Sequence, residues 1–168
     1  MPEFRSLFET PIGTIELAVN DECSLTEILL PNRGPFAPSP QPSSPAAART
    51  MRVVKRQLEE YFTGRRTIFD LPLQFSGSPF ERRVWTTLLE IPFGVTTSYG
   101  AIATELGLIN GARAVGRANG ANPIPIVIPC HRVIGSDGRL TGYGGGLPLK
   151  RALLELEGAL ASPELPLL

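Results

Sequence analysis

Histidine occurs once in the 168 residues and so does tryptophan, while cysteine and methionine occur twice each. One imidazole and two distant thiols are not a recognisable zinc ligand set, so no metal and no metal-bound nucleophile are expected. Nor do Cys23 and Cys130 make a disulfide framework, and a chain of this length can bury a core without one. No apolar run approaches the roughly 20 residues that span a bilayer. The opening MPEFRSLFETP also lacks the hydrophobic segment of a secretory leader. The expectation is a cytoplasmic protein with no membrane association and both thiols reduced. Net charge is missing too: sixteen basic residues offset sixteen acidic ones. That argues against a protein that coats nucleic acid or an anionic membrane.

The balance is uneven along the chain. From Ile91 to Arg151 the basic residues are Arg113, Arg117, Arg132, Arg139, Lys150 and Arg151, against Glu105 and Asp137 alone. An anionic partner is therefore expected at this part of the molecule.

The first third reads as β structure. Two alternating runs, Thr14 to Val19 and Leu25 to Leu30, flank a polar turn at Asn20, Asp21 and Glu22, the pattern of a hairpin. A stretch rich in Pro, Ser and Ala follows, and residues 33–50 are expected as an exposed loop. A helix from about Ala46 to Phe62 carries an apolar stripe of Val53, Val54, Leu58, Tyr61 and Phe62, and TGRRT ends it at Gly64. Further on, Ser78, Pro79 and Glu81 compose a capping box with proline at the first helical position. The domain boundary is placed near Gly77, dividing the chain into 1–77 and 78–168.

After that helix, Ser98 caps a short one from Tyr99 to Leu106, Gly107 and Asn110 bracket a tight turn, and a second helix runs from about Gly111 to Ala118. Two short helices around such a turn make a helix-turn-helix, though an ordinary packed helical pair reads the same way. The second helix is built of small residues: Ala112, Ala114, Gly116, Ala118 and Gly120. Its glycines sacrifice helix propensity. Arg113 and Arg117, four apart, share a face. A slim helix bearing paired arginines suits close approach to a phosphate backbone or groove, and a tightly packed helix with two solvated arginines is the bland reading.

The stretch NPIPIVIPCHRVIG puts Cys130 beside the only histidine, His131. A thiol with a pKa of about 8.5 is mostly protonated at neutral pH, so a working cysteine needs a base or a positive field. Adjacent side chains on a strand point to opposite faces. Contact therefore requires a turn or a bridging water, and Pro129 makes a change of chain direction there reasonable. A base needs its other nitrogen held. Asp137, Glu155 and Glu157 are the candidates. Glu157 is preferred because it lies beside Leu153 and Leu156 on the side of the last helix that, with Leu160, should face the core, where an unpaired carboxylate would be costly. Hydrolases, acyl transferases and alkyl transferases all use an activated thiol.

Taken together, IPCHRVIGSDGRLTGYGGGLPLKRALLELEG, preceded by RAVGRANGANPIPIV and SYGAIA, resembles the C-terminal domain of the O6-alkylguanine-DNA alkyltransferases, which repair DNA by direct reversal. The matches are dense from about Phe80 to Gly158. The N-terminal half is similar to the family's small β-containing domain only through TPIGTIELAV. The fold implied is a mixed α/β chain of the α+β kind: a small N-terminal sheet with a helix, then a mostly helical domain with a winged-helix-like helix-turn-helix.

By this resemblance Cys130 accepts the alkyl group irreversibly, once per molecule, and no cofactor takes part. His131 takes the thiol proton through a water, Glu157 holds the histidine, and Asn122 braces the turn before the cysteine loop. Tyr99 donates a proton to the departing guanine and helps rotate the phosphate of the flipped nucleotide. Arg113 fills the space of the flipped base. Extrusion is needed because chemistry on a base inside a duplex requires it. Arg117 and Ser136 join the DNA contacts, and Pro125, Tyr143 and Gly144 line the guanine pocket. The partner implied is double-stranded DNA met at the minor groove by a monomer, which needs only modest non-specific affinity.

The sequence departs from the family's pattern at Gly144, where some relatives carry serine, and at Arg117, where a small residue is common. Cys23 and Trp85 lie outside its motifs and are expected to be structural. Three rivals differ in kind: a lesion-binding protein without chemistry, a cysteine hydrolase using Cys130, His131 and Glu157, and a winged-helix transcription factor. The presence of Cys130 counts against the first, the slim helix with Arg113 and Tyr99 against the second. The third would be indifferent to Cys130.

Overall fold

The computed structural model describes residues 2–160, so residues 161–168 of the expected second domain lie outside the described residues. The chain divides into two compact units, the first ending at Phe75 and the second beginning at Ser76. The fold is of the mixed α/β kind expected.

In the first unit three antiparallel strands, β1 (Glu3–Thr10), β2 (Gly13–Asn20) and β3 (Leu25–Leu29), lie in chain order. Strand β1 is an addition to the expected hairpin. Its residues alternate between exposed and half-buried, so it carries no apolar run to announce it. It turns into β2 through Pro11 and Ile12, where Thr10 Oγ1 accepts from the Ile12 amide at 3.1 Å and donates to the Gly13 carbonyl at 2.7 Å. As the central strand, β2 is buried on both faces from Ile15 to Asn20, which takes Glu16 inside. Its carboxylate accepts from Arg5 Nε at 2.7 Å and from the Ala37 amide at 2.6 Å, pinning the Pro/Ser-rich segment to the sheet. That segment ends at Ser44, earlier than the expected 50. Ser44 accepts from the Ala47 amide and Pro45 opens helix α1 (Pro45–Phe62), so the alanines are helical. Helix α1 packs on β1 and β2. Val54, Leu58 and Tyr61 are buried, whereas Val53 and Phe62 are only half-buried.

The second unit starts with α2 (Pro79–Leu88), whose capping box is formed as expected. Helices α3 (Tyr99–Glu105) and α4 (Ala112–Gly120) form the helix-turn-helix. Gly107 and Asn110 turn the chain with φ of 74° and 53°. At Gly111 a Cβ would lie 2.6 Å from Leu108 Cβ, so only glycine lets the turn close over that leucine. Trp85 Nε1 donates to the Ala118 carbonyl at 2.8 Å, fixing α2 against α4. A parallel pair of two-residue strands, β4 (Thr97–Ser98) and β5 (Val133–Ile134), follows, with α5 (Leu147–Leu156) last. In α5 the core leucines are Leu153 and Leu154, while Leu156 is half-buried, as is Leu160 beyond the end of the helix. Among the described residues no helix is long and apolar enough to cross a membrane.

Candidate active site

Two short pairings assemble the site. Because Ser98 pairs with Ile134 in register, Tyr99 at the start of α3 lies level with the chain just beyond the cysteine. Cys130–Arg132 form a single 3-10 turn running straight into β5. Pro129 (φ −81°, ψ 63°) is the centre of a tighter turn in which the Cys130 amide donates to the Ile128 carbonyl at 2.8 Å. The chain therefore breaks direction at the cysteine, and Cys130 and His131 are not successive strand residues.

The preceding loop is held by asparagines. Asn122 Nδ2 donates to the Ile128 carbonyl at 2.8 Å, and its Oδ1 accepts from the Ile124 amide at 2.9 Å. Asn119, on α4, donates to the Cys130 carbonyl at 3.3 Å. Within this loop Ile126 is fully buried at φ 77°, a left-handed conformation unfavourable for a β-branched residue.

Cys130 is 5% exposed. Burial pushes its thiol above the ordinary range, opposed by hydrogen bonding from Asn122, the positive charge of Lys150 and a hydrogen bond with Tyr143. His131 is fully buried, with Nε2 2.7 Å from Glu157 Oε2. A carboxylate there fixes the proton on Nε2 and leaves Nδ1 as a lone pair, and among the described residues Nδ1 has no hydrogen-bond partner. Burial lowers the imidazole pKa, Glu157 opposes this, and the charges of Arg132 and Lys150 add to it. The ring is therefore neutral.

Glu157, at the C-cap of α5, is shared. Arg132 Nε and Nη2 donate to its two oxygens at 2.8 and 2.9 Å, while Arg132 Nη1 donates to the Ile91 carbonyl at 2.6 Å. The Gly94 amide adds a contact at 3.4 Å. Arg132 thus neutralises the carboxylate, which orients the imidazole more than it charges it.

The structure brings Cys130, His131, Glu157, Asn122, Tyr99 and Tyr143 into one neighbourhood. The half-buried Tyr99 donates its hydroxyl to the Thr141 carbonyl at 3.1 Å, and burial raises its pKa. Pro125 is buried in the loop before Cys130, and Gly144 is half-buried beside Tyr143. Arg113 and Arg117 are exposed on α4, and Ser136 is exposed in the turn after β5. Asp137 and Glu155, the other orienter candidates, are exposed, and neither contacts the histidine.

Arg132 and Lys150, counted in the sequence among the basic residues that would meet an anionic partner, are instead buried within the site. Lys150 is 0% exposed and its ammonium donates to the carbonyls of Val133, Thr141 and Gly142 at 2.6, 2.8 and 3.3 Å. It precedes Leu153 by three positions and Leu154 by four, so the reasoning that singled out Glu157 applies to it equally. Among the described residues no cluster of three or more His, Cys, Asp or Glu side chains could hold a metal ion.

Comparison with known proteins extends over nearly the whole chain. Residues 79–159 match the family described as 6-O-methylguanine DNA methyltransferase, DNA binding domain, and residues 4–75 match its ribonuclease-like domain. A methylated-DNA–protein-cysteine methyltransferase of Mycobacterium tuberculosis is 45% identical over 172 residues, covering 99% of each chain. One from Methanosarcina acetivorans is 44% identical, covering 93% of this chain and 99% of its own. Among solved structures, Mycobacterium tuberculosis OGT in complex with DNA superposes with a TM-score of 0.81 at 44% identity, covering 93% of each chain.

Proposed function

The chain belongs to the 6-O-methylguanine DNA methyltransferase family, and from that premise we propose that it repairs alkylated guanine in double-stranded DNA by moving the alkyl group onto Cys130. The observation that carries this is the buried thiol next to a neutral histidine whose Nε2 is tied to Glu157 and whose Nδ1 has no partner among the described residues.

His131 Nδ1 takes the thiol proton through a water. The Cys130 thiolate then attacks the alkyl carbon in line with its bond to O6. A sulfur–carbon bond forms, the carbon–O6 bond breaks, and its electron pair passes to the guanine ring. Tyr99 protonates that ring, its hydroxyl kept neutral by burial and parked on the Thr141 carbonyl. The product is a thioether, a poor leaving group, so each molecule acts once.

Reaction inside a duplex requires the nucleotide to be extruded, at a cost of a few kcal/mol. Arg113, exposed on the slim helix α4, occupies the vacated stack from the minor groove. Arg117 and Ser136 contact phosphates, and Tyr99 helps rotate the phosphate of the flipped nucleotide. Pro125, Tyr143 and Gly144 receive the base, and Asn122 braces the loop. The 1–77 and 78–168 parts divide the labour, with DNA binding and chemistry in the second. We place the protein in the cytoplasm as a monomer, where reducing conditions keep the acceptor a thiol.

The test is titration. A duplex with one O6-methylguanine is incubated with increasing protein, digested, and its nucleosides separated. Guanine restored in proportion to protein, with none gained on longer incubation, is expected. Restoration beyond one equivalent would mean turnover. Tight lesion binding without restoration would make the protein a damage sensor.

A further inference from the structure

Four charged residues are buried among those described: Glu16, Arg132, Lys150 and Glu157. Glu16 is paired with Arg5, and Arg132 with Glu157. Lys150 has no carboxylate partner among the described residues, and three main-chain carbonyls hold its ammonium instead. A buried, unpaired charge is costly, and proteins that retain one usually set an opposite charge against it. Helix α5, which carries Lys150, packs on the 3-10 turn of Cys130–Arg132, and the acidic group of that turn is the Cys130 thiol, whose charge bears on the ammonium.

We propose that Lys150 is the counter-ion of the Cys130 thiolate, its ammonium fixed beneath the acceptor turn so that the negative charge formed on sulfur is compensated within the protein.

The three carbonyls tie this charge to the reacting groups. Val133 directly follows the turn that carries Cys130. The Thr141 carbonyl accepts from both Lys150 and the Tyr99 hydroxyl, and Gly142 adjoins Tyr143. Facing the ammonium from the neighbouring elements are the Tyr99 ring on α3, its centroid 5.8 Å away, and Cys130 and His131 on the 3-10 turn. The lysine charge assists loss of the thiol proton and discourages protonation of His131.

Burial pushes Lys150 down to about 8 and the thiol up. Loss of one proton from the pair can therefore leave either a thiol with a neutral amine or a thiolate with an ammonium. Three carbonyl acceptors, which only donors can satisfy, favour the ammonium. Lys150 acts through Cys130, so its role is that of a positioning residue.

This inference rests on Cys130 being the reactive group, and its test needs no DNA. The Cys130 thiolate is titrated by ultraviolet absorbance in the full-length protein, each form differenced against its own Cys130→Ser version. Lys150→Gln keeps N–H donors for the carbonyls but no charge, and Lys150→Arg keeps the charge. The Gln variant should need at least about one pH unit more alkali, a tenfold loss of thiolate at a given pH. The Arg variant should stay closer to wild type. A Gln variant that titrates like wild type would overturn the proposal, leaving Lys150 a strut.

Reciprocity supplies a second measurement should Lys150→Gln not fold. The Lys150 midpoint, followed by NMR of its ε-methylene, should fall when Cys130 becomes Ala, and an unchanged midpoint would overturn the proposal as well. If these linkages hold while no methyl leaves O6-methylguanine, the counter-ion stands and the repair reading falls. If the methyl moves without the linkage, the reverse is true.

Discussion

Each unit of the molecule carries one cysteine and, besides its surface ion pairs, an arginine cluster around a buried carboxylate, Glu16 in the first and Glu157 in the second, and the two differ in what they leave unsatisfied. Cys23 sits in the turn between β2 and β3 at φ 65°, half-buried, with its amide bonded to the Asn20 carbonyl and no histidine beside it in the sequence. Cys130 is less accessible, yet it has a neutral imidazole next to it and an ammonium nearby. In the first unit Arg5 divides its donors among Glu3, Glu16 and Glu27, and every partner is a carboxylate. In the second, Arg132 pairs with both oxygens of Glu157, while among the described residues His131 keeps a lone pair without a hydrogen-bond partner and Lys150 donates to main-chain carbonyls rather than to a carboxylate. The lesson is that access alone does not make a thiol reactive. A saturated polar cluster holds a fold, whereas one with spare valence can move a proton.

The largest expected effect separates the two thiols. Cys130→Ala should abolish methyl transfer while lesion binding persists, and Cys23→Ala should transfer at the wild-type rate. Equal loss in both would erase the distinction. Next in size, His131→Gln should slow single-turnover transfer by about 10²–10⁴-fold, the range for loss of a general base. A rate within a few-fold of wild type would mean that the thiol reaches its thiolate without the imidazole.

The clusters can be compared by denaturant unfolding. Arg132→Met strands a buried carboxylate and should cost the second unit about 3–5 kcal/mol. Arg5→Met should cost the first unit less, about 1.5–3 kcal/mol, because Glu16 keeps the Ala37 amide and Arg5 is partly exposed. Equal costs would show that burial of the arginine matters little.

The pH dependence follows from the histidine. Folded His131 stays neutral because burial lowers its pKa, whereas in the unfolded chain it binds a proton near pH 6.5. The unfolded state then holds more protons, so stability is retained above about pH 6.5 and is lost below it by up to about 1.4 kcal/mol per pH unit. His131→Gln should flatten that limb, and a limb that persists would assign it elsewhere. The smallest effect is at Cys23. Cys23→Gly relieves a left-handed backbone but gives the unfolded chain more freedom, so stability should change by less than about 1 kcal/mol.

Some of this architecture is legible from local pattern. The capping box at Ser78, the left-handed turn at Gly107 and Asn110, and the choice of Glu157 from its place among leucines all depend on neighbours within a few residues. What escaped depends on distant partners. Strand β1 alternates too weakly to be seen without β2 beside it. Arg132 reads as a surface charge until Glu157, 25 positions later, is brought to it. Lys150 was legible in principle, since it shares the face of Leu153 and Leu154, but the carbonyls that accept from it belong to β5 and to the loop before α5. The turn at Pro129 was foreseeable as a break in the chain, while the left-handed Ile126 was not.

The most direct test of the account is to locate the methyl group. The protein is incubated with a duplex carrying one O6-methylguanine, digested, and its two cysteine-containing peptides are weighed by mass spectrometry. The account predicts one added methyl on the Cys130 peptide, never more than one equivalent, with Cys23 unmodified. A methyl on Cys23, or on neither cysteine while guanine is restored, would contradict it.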